Sequence, residues 1–467
     1  MPSVNGPGLG KYRDVWIIIC YYLRHRQPVD LQTLSVTCSS IAGAARAIMF
    51  QSLIVGPTSS FLVALSDAKS LGSSTSVPVL SYIHTLHLNT LSPGEPEYIE
   101  EMTQSRLAPH LHHLPLLSAF SLECRHIMPS MLDAICRLAR IRSIDFTLLG
   151  RATPTQPLIL KGTLRFSRLS FMKNSKAWSG QNTDAEVFEN LIARSANSLA
   201  SLKVDESHID CLKVLANHAL ELPHLRNLVV LPTFDEHEGR FALHAGFTQL
   251  KALRAELEPD SFIDAILSQC PSIEHLYLAS PSFVPRCLPL AALPNLRKIT
   301  SDSSTLALLV PGRPVTNVVL TAPWPMTRAK EQLAELDEDD RASIAWQDRR
   351  NLEELATEEQ AEVIRCAYAL SHSTGPVRRL ILPLVRPSNR HTKLAKQALA
   401  AFVEALPSTE YLTIQVDPMV CHQQFQISPS RAPFPFPTFV CTLAPLNLMI
   451  FIHAGCSFRI RLARTTP

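Results

Sequence analysis

Glycine is scarce in this chain, with 15 residues against 35 prolines in a length of 467. Phosphate-cradling loops need glycine where backbone approaches ligand closely, and neither G-x-G-x-x-G nor G-x-x-x-x-G-K-[ST] is present. An excess of one charge is lacking too: 44 Lys+Arg stand against 41 Asp+Glu. Such balance gives no reason to expect nucleic acid or an anionic membrane as a partner. The 11 cysteines are scattered, with no C-x-x-C pair for zinc or redox chemistry. An odd, unclustered set in a chain this apolar implies reduced, buried thiols and a cytoplasmic or nuclear setting.

Long hydrophobic runs are also missing. The stretch from Val15 to Leu23 is flanked by Asp14 and by Arg24-His25-Arg26, with no small-residue cleavage site, so it reads as a helix of the fold rather than a leader. The run from Phe439 to Gly455 is short for a membrane span and carries Pro445, Asn447 and His453; it reads as core strand. Signatures of catalysis are absent as well, G-x-S-x-G and H-E-x-x-H among them. His110-Leu-His112-His113 is the densest set of metal-ligand types, but no Cys, Asp or Glu nearby completes a site. Arg378, Arg379, Arg386, Arg390, Lys393 and Lys396 form a modest basic stretch without interleaved aromatics, which reads as a solvated face. The expectation is a chain that is not an enzyme and holds no cofactor and no metal.

What the chain has in abundance is one short motif, Φ-x-x-Φ-x-Φ, with Φ apolar. It runs as Ile83-His-Thr-Leu86-His-Leu88, Leu117…Phe120-Ser-Leu122, Ile141…Ile144-Asp-Phe146, Phe166…Leu169-Ser-Phe171 and Leu199…Leu202-Lys-Val204. It continues as Leu225…Leu228-Val-Val230, Leu250…Leu253-Arg-Ala255, Ile273…Leu276-Tyr-Leu278, a degenerate Leu296…Ile299-Thr-Ser301, Val315…Val318-Val-Leu320, Val377…Leu380-Ile-Leu382 and a weaker Thr409…Leu412-Thr-Ile414. The last two Φ positions are two apart, so they share one face of a short strand.

Amphipathic helical stretches fill the intervals. One places Val187, Phe188, Leu191 and Ile192 on a single stripe behind Asp184 as N-cap; another does the same with Phe262, Ile263, Ile266 and Leu267. Pro115, Pro223, Pro271, Pro294 and Pro407 each stand two residues before the first Φ, where proline ends a helix. A helix–strand unit of this kind buries its apolar face only by stacking on neighbours, which favours an array over an ordinary parallel α/β domain.

The motif and its spacing, mostly near the ~20–29-residue period of that family, resemble leucine-rich repeats. The resemblance covers residues 81–467 and implies an irregular α/β solenoid with a curved parallel sheet. The family's regular Asn or Cys after the strand is present near Asn89 and Cys124 and missing from most copies. A charged stretch at 328–365, including Glu335-Leu-Asp-Glu-Asp-Asp340, reads as a solvated insertion, and Phe458–Leu462 as a last edge strand.

Residues 11–55 follow another pattern, with Val15, Ile19 and Leu23 on one helical stripe and Leu31, Leu34 and Cys38 on a second, begun by Asp30. Asp14-Val-Trp with Ile19 and Leu23, then Asp30-Leu31…Leu34-Ser-Val-Thr-Cys38, then Met49-Phe50, resemble the three helices of an F-box of the divergent fungal type. Lys11-Tyr12 stand where that family has Leu-Pro, and Thr37 where it has Val. Residues 1–10 read as a disordered tail and 56–80 as a linker helix.

The resemblance implies the substrate-recognition subunit of an SCF-type (cullin-RING) ubiquitin ligase. Val15, Ile19, Leu23, Leu31, Leu34 and Cys38 would then bind the Skp-type adaptor, and the repeats would bind an unknown protein substrate, with no nucleic acid and no membrane. The alternative is a non-catalytic protein-binding scaffold whose N-terminal helices only cap the array.

Overall fold

In a computed structural model of the chain, the described residues are 20, 45–57, 82–90, 97–148, 164–173, 183–205, 209–231, 246–255, 261–278, 288–289, 291–321, 361–384, 400–416, 439–443, 448–453 and 457–461. They belong to two compact units, Met1–Leu225 with Thr233–Glu236, and Arg226–Pro232 with His237–Pro467.

The first unit holds six strands in chain order, each parallel to the next: β1 (Ser52–Val55), β2 (Thr85–Asn89), β3 (Ala119–Cys124), β4 (Ser143–Leu148), β5 (Arg168–Lys173) and β6 (Ser201–Asp205). Its helices are α1 (Glu97–Leu107), α2 (Pro129–Cys136), α3 (Thr183–Ser195) and α4 (Ile209–Asn217). The second unit continues the pattern with β7 (Asn227–Leu231), β8 (Ala252–Ala255), β9 (His275–Leu278), β10 (Lys298–Ser301), β11 (Asn317–Leu320), β12 (Arg379–Leu384) and β13 (Tyr411–Val416), again parallel. Here α5 (Ser261–Gln269), α6 (Ser303–Leu309) and helices 361–371 and 400–405 lie between strands. Up to β13, each unit is therefore α/β with parallel strands in chain order, compatible with a solenoid-like fold.

The motif sets the register. Its second apolar position pairs straight across neighbouring strands, from Leu86 through Phe120, Ile144 and Leu169 to Leu202 in the first unit. Leu228, Leu253, Leu276, Ile299, Val318, Leu380 and Leu412 do the same in the second. Every motif position with a described exposure is buried, the most exposed being Thr409 at 7%. A one-residue slip would turn this whole set to solvent, which is why the register is specific.

The prolines do more than end helices. Leu117, Leu225, Ile273, Leu296 and Thr409 each donate a backbone N–H to the carbonyl three residues back, with Pro115, Pro223, Pro271, Pro294 and Pro407 second in the four-residue turn. Proline pre-sets the backbone angle that position needs. The residue ahead of each proline, Leu114, Leu222, Cys270, Leu293 or Leu406, is itself buried. The motif is therefore longer by one apolar residue than its sequence suggests.

A second ladder stands in for the missing asparagines. The carbonyl that follows the first Φ accepts two N–H groups from the next repeat, as at His84, Ser118, Arg142 and Ser167 in one unit and Arg226, Lys251, Glu274 and Arg297 in the other. Hydroxyls add to it: Ser198 donates to the carbonyls of Leu164 and Phe166, Ser272 to Leu250, and Thr409 to Val377. Each such bond contributes roughly 1 kcal/mol net.

Several expectations shift. Ser52–Val55, read as the tail of the helical module, is already sheet, because β1 pairs with β2. Asp184 is the second residue of α3 rather than its cap. The end of the charged stretch opens helix 361–371, whose Val363, Cys366, Ala367 and Leu370 are buried at helical spacing; 328–360 lies outside the described residues. The C-terminal apolar run makes two strands, β14 (Phe439–Leu443) and β15 (Leu448–His453), rather than one. Phe458–Leu462 is not the edge: β16 (Ser457–Arg461) lies between β13 and β15, antiparallel to both, which leaves β14 outermost.

Candidate functional site

The residues that alternate with the buried motif positions point out of the sheet, so each unit carries a row of side chains one per strand. In the first unit the central row is His87, Ser121, Asp145, Ser170 and Lys203, set side by side by the register. A polar network runs across it. His87 Nδ1 lies 2.7 Å from Ser121 Oγ, and Asn89 donates to Glu123 Oε2 at 3.1 Å. His87 Nε2 stands 3.9 Å from the same carboxylate. Asp145 Oδ1 and Ser170 Oγ, on register partners, are shielded from solvent and have no hydrogen-bond partner among the described residues.

The same row in the second unit is Val229, Arg254, Tyr277, Thr300, Val319, Ile381 and Thr413. Two residues earlier on the strands, on the same face, stand Asn227, Ala252, His275, Lys298, Asn317, Arg379 and Tyr411. The Arg254 guanidinium stacks 4.5 Å from the centre of the Tyr277 ring. At the strand entrances Lys251 Nζ meets Glu274 Oε1 at 2.9 Å, and Arg378 Nε meets Glu410 Oε1 at 3.8 Å. Lys251 holds the Glu274 carboxyl below its ordinary range.

Behind the first unit's sheet lies a polar clamp that the apolar pattern does not announce. Helix α1 buries Glu100, Thr103 and Gln104 together with Leu107. Glu100 Oε1 accepts the backbone N–H groups of Arg125 (2.7 Å) and His126 (3.1 Å). Gln104 donates to the His126 carbonyl and accepts from the Met128 N–H. Burial raises the Glu100 carboxyl above its usual range despite these donors and the nearby His126 ring.

The second unit has its own polar knot. Arg313 is buried at 2% exposure and donates to the carbonyls of Ala292, Leu309 and Pro289 at 2.7, 2.7 and 3.2 Å. Elsewhere in the unit Gly246 serves close approach, since a Cβ there would fall 2.1 Å from the Gln269 carbonyl oxygen.

The expected adaptor-binding residues Val15, Ile19, Leu23, Leu31, Leu34 and Cys38 lie outside the described residues. Within that region Cys20 packs against Ala45, Ile48 and Met49 of a helix at 45–49. The cysteines Cys20, Cys124, Cys136, Cys211, Cys270 and Cys366 are free thiols. Burial pushes Cys270 up to about 11 and raises Cys366 further, so neither is a ready nucleophile near neutral pH. His110, His112 and His113 fall in a 3₁₀ turn at Ala108–His113, with the His112 and His113 rings 3.7 Å apart. Among the described residues no group of three His, Cys, Asp or Glu is placed to hold a metal ion. No helix among them is long and apolar enough to cross a membrane. Neither a protein-family model nor a curated protein matches this sequence.

Proposed function

We propose that this chain is the substrate-recognition subunit of an SCF-type ubiquitin ligase, its N-terminal segment gripping a Skp-type adaptor and its repeats holding a protein for ubiquitin transfer elsewhere. The observation that carries the reading is the pairing of an F-box-like segment at 11–55 with parallel strands that, in each unit, set their outward side chains in rows. Such rows suit protein recognition, because neighbouring strands set side chains about 4.8 Å apart on a rigid frame. The chain needs no catalytic group for this role, since holding two proteins together is the whole of its task.

The test is co-purification of the full chain with the adaptor. Recovery is expected, and it should be lost in Ile19→Glu and Leu23→Glu while the thermal midpoint of the chain is kept. No recovery by the full chain sinks the reading. Loss of folding without a separate loss of binding would favour the scaffold whose N-terminal helices only cap the array.

A further inference from the structure

Among the described residues, the outward strand positions of the second unit carry cations and no counter-charge. Lys298 and Arg379 are exposed on it, two strands apart across β11, and have no ion-pair partner among the described residues. His275 stands next to Lys298 in register, and Arg254 lies one strand further along over the Tyr277 ring. No Asp or Glu occupies an outward position on β7–β12; Glu274 and Glu410 sit at the strand entrances, each paired with a neighbouring cation. This polarity is local, because the whole chain is balanced at a formal +3.

Beside the cations the same face carries aliphatic side chains, and its Tyr277 ring is covered by Arg254. Val319 and Ile381 are register partners on β11 and β12, two residues after Asn317 and Arg379 and so on the same face. Cations and apolar side chains in adjacent rows present two requirements to a partner at once. A nucleic-acid backbone meets the first with evenly spaced phosphates, but it wants stacking rings rather than aliphatic side chains for the second. An extended polypeptide in which acidic and aliphatic residues alternate meets both.

We propose that the face of β8–β12 is a docking surface for an acidic–aliphatic peptide segment, with Lys298 and Arg379 as its principal charge contacts and Val319 and Ile381 as its apolar floor. This rests on the substrate-recognition reading and names the chemical class of what the repeats take.

The experiment uses the full chain and a fluorescein-labelled twelve-residue peptide of alternating Asp/Glu and Leu/Val, read by fluorescence anisotropy. Controls are the same peptide with Lys for every acid and a twelve-nucleotide single-stranded DNA. Saturable, salt-weakened binding of the acidic peptide is expected, with the basic peptide inactive and the DNA weaker. Lys298→Glu with Arg379→Glu should weaken binding about tenfold or more, as expected when two exposed ion pairs turn repulsive. Lys298→Gln with Arg379→Gln, gentler on folding, should weaken it severalfold with an unchanged thermal midpoint. Lys203→Glu on the first unit should leave it unchanged. Absence of peptide binding, tighter binding of the DNA, or indifference to both double variants would overturn the proposal. The assay contains no adaptor, so its failure with adaptor recovery intact sinks this inference alone, and the converse sinks only the ligase reading.

Discussion

The two units repeat one motif yet fill it differently. In the first, the buried positions are rich in rings: Phe120, Phe146, Phe166, Phe171 and Phe188 are all fully enclosed. Phe171 meets Phe146 edge-on at 6.2 Å and Phe188 at 5.4 Å, linking two strands and a helix. In the second, the motif is aliphatic, Phe247 supplies the single ring among the largest buried side chains, and the bulkiest buried side chain is Arg313. The faces diverge as well. The first mixes His87, Glu123, Asp145 and Lys203, while the second is cationic and aliphatic. One backbone plan therefore tolerates a core of packed rings or a core pinned by hydrogen bonds to carbonyls, as long as register is kept.

The largest test of that contrast is truncation of each core. Phe171→Ala is expected to cost about 3–5 kcal/mol by urea denaturation, because a ring touching two others leaves a cavity with little to collapse into. Leu278→Ala at the matching position of the second unit should cost about 2–5 kcal/mol and fall below it. Equal costs would mean the rings add nothing beyond volume. Arg313→Met comes next, at about 3 kcal/mol, since it takes the guanidinium donors from the carbonyls of the buried Ala292 and Leu309. A neutral outcome would show that the second core is held by packing alone.

Glu100→Ala should cost about 2 kcal/mol, because the N–H groups of Arg125 and His126 lose their acceptor. Its pH signature is the sharper readout. Burial raises the native carboxyl above its unfolded value of about 4.3, so the folded chain holds this proton more tightly than the unfolded one. That part of stability is present at low pH and is lost as pH rises through the native value. Glu100→Gln should match the wild type at low pH and exceed it above the native value, in denaturation curves taken across the range. The smallest effect is expected of Pro223→Ala, about 0.4–1 kcal/mol, mostly through a freer unfolded chain.

The strand motif was the legible part of this molecule. Leu86, Phe120 and Ile144 could be placed in one ladder from spacing alone, because a strand's two-residue period leaves no other way to bury them. The proline turns were half legible: position was plain, but the i+1 role needed the hydrogen bond from, for example, Leu225 to Leu222. Glu100, Gln104 and Arg313 were not legible. Their partners are backbone groups far along the chain, and nothing in residue type tells which carbonyl or N–H a side chain will reach. The face of the second unit was missed for a similar reason. Lys298 and Arg379 are 81 positions apart in sequence and become two strands apart only through the pairing of β10 with β11 and of β11 with β12. Arg379 was grouped instead with its sequence neighbours and read as a solvated face.

The antiparallel β16 has a consequence for how the chain is made. Among the described strands it comes after β13, β14 and β15 in the chain, yet it is the one that pairs with β13 and carries β15 and β14 beyond it. Every earlier strand from β8 to β13 can join a neighbour that has already been made. Until residues 457–461 emerge, β13 presents an open row of backbone donors and acceptors, and the β14–β15 hairpin has nothing to join. Unpaired rows of that kind recruit other chains. A ribosome stalled just short of residue 457 should therefore release a product that associates through β13, whereas one stalled beyond residue 461 should not.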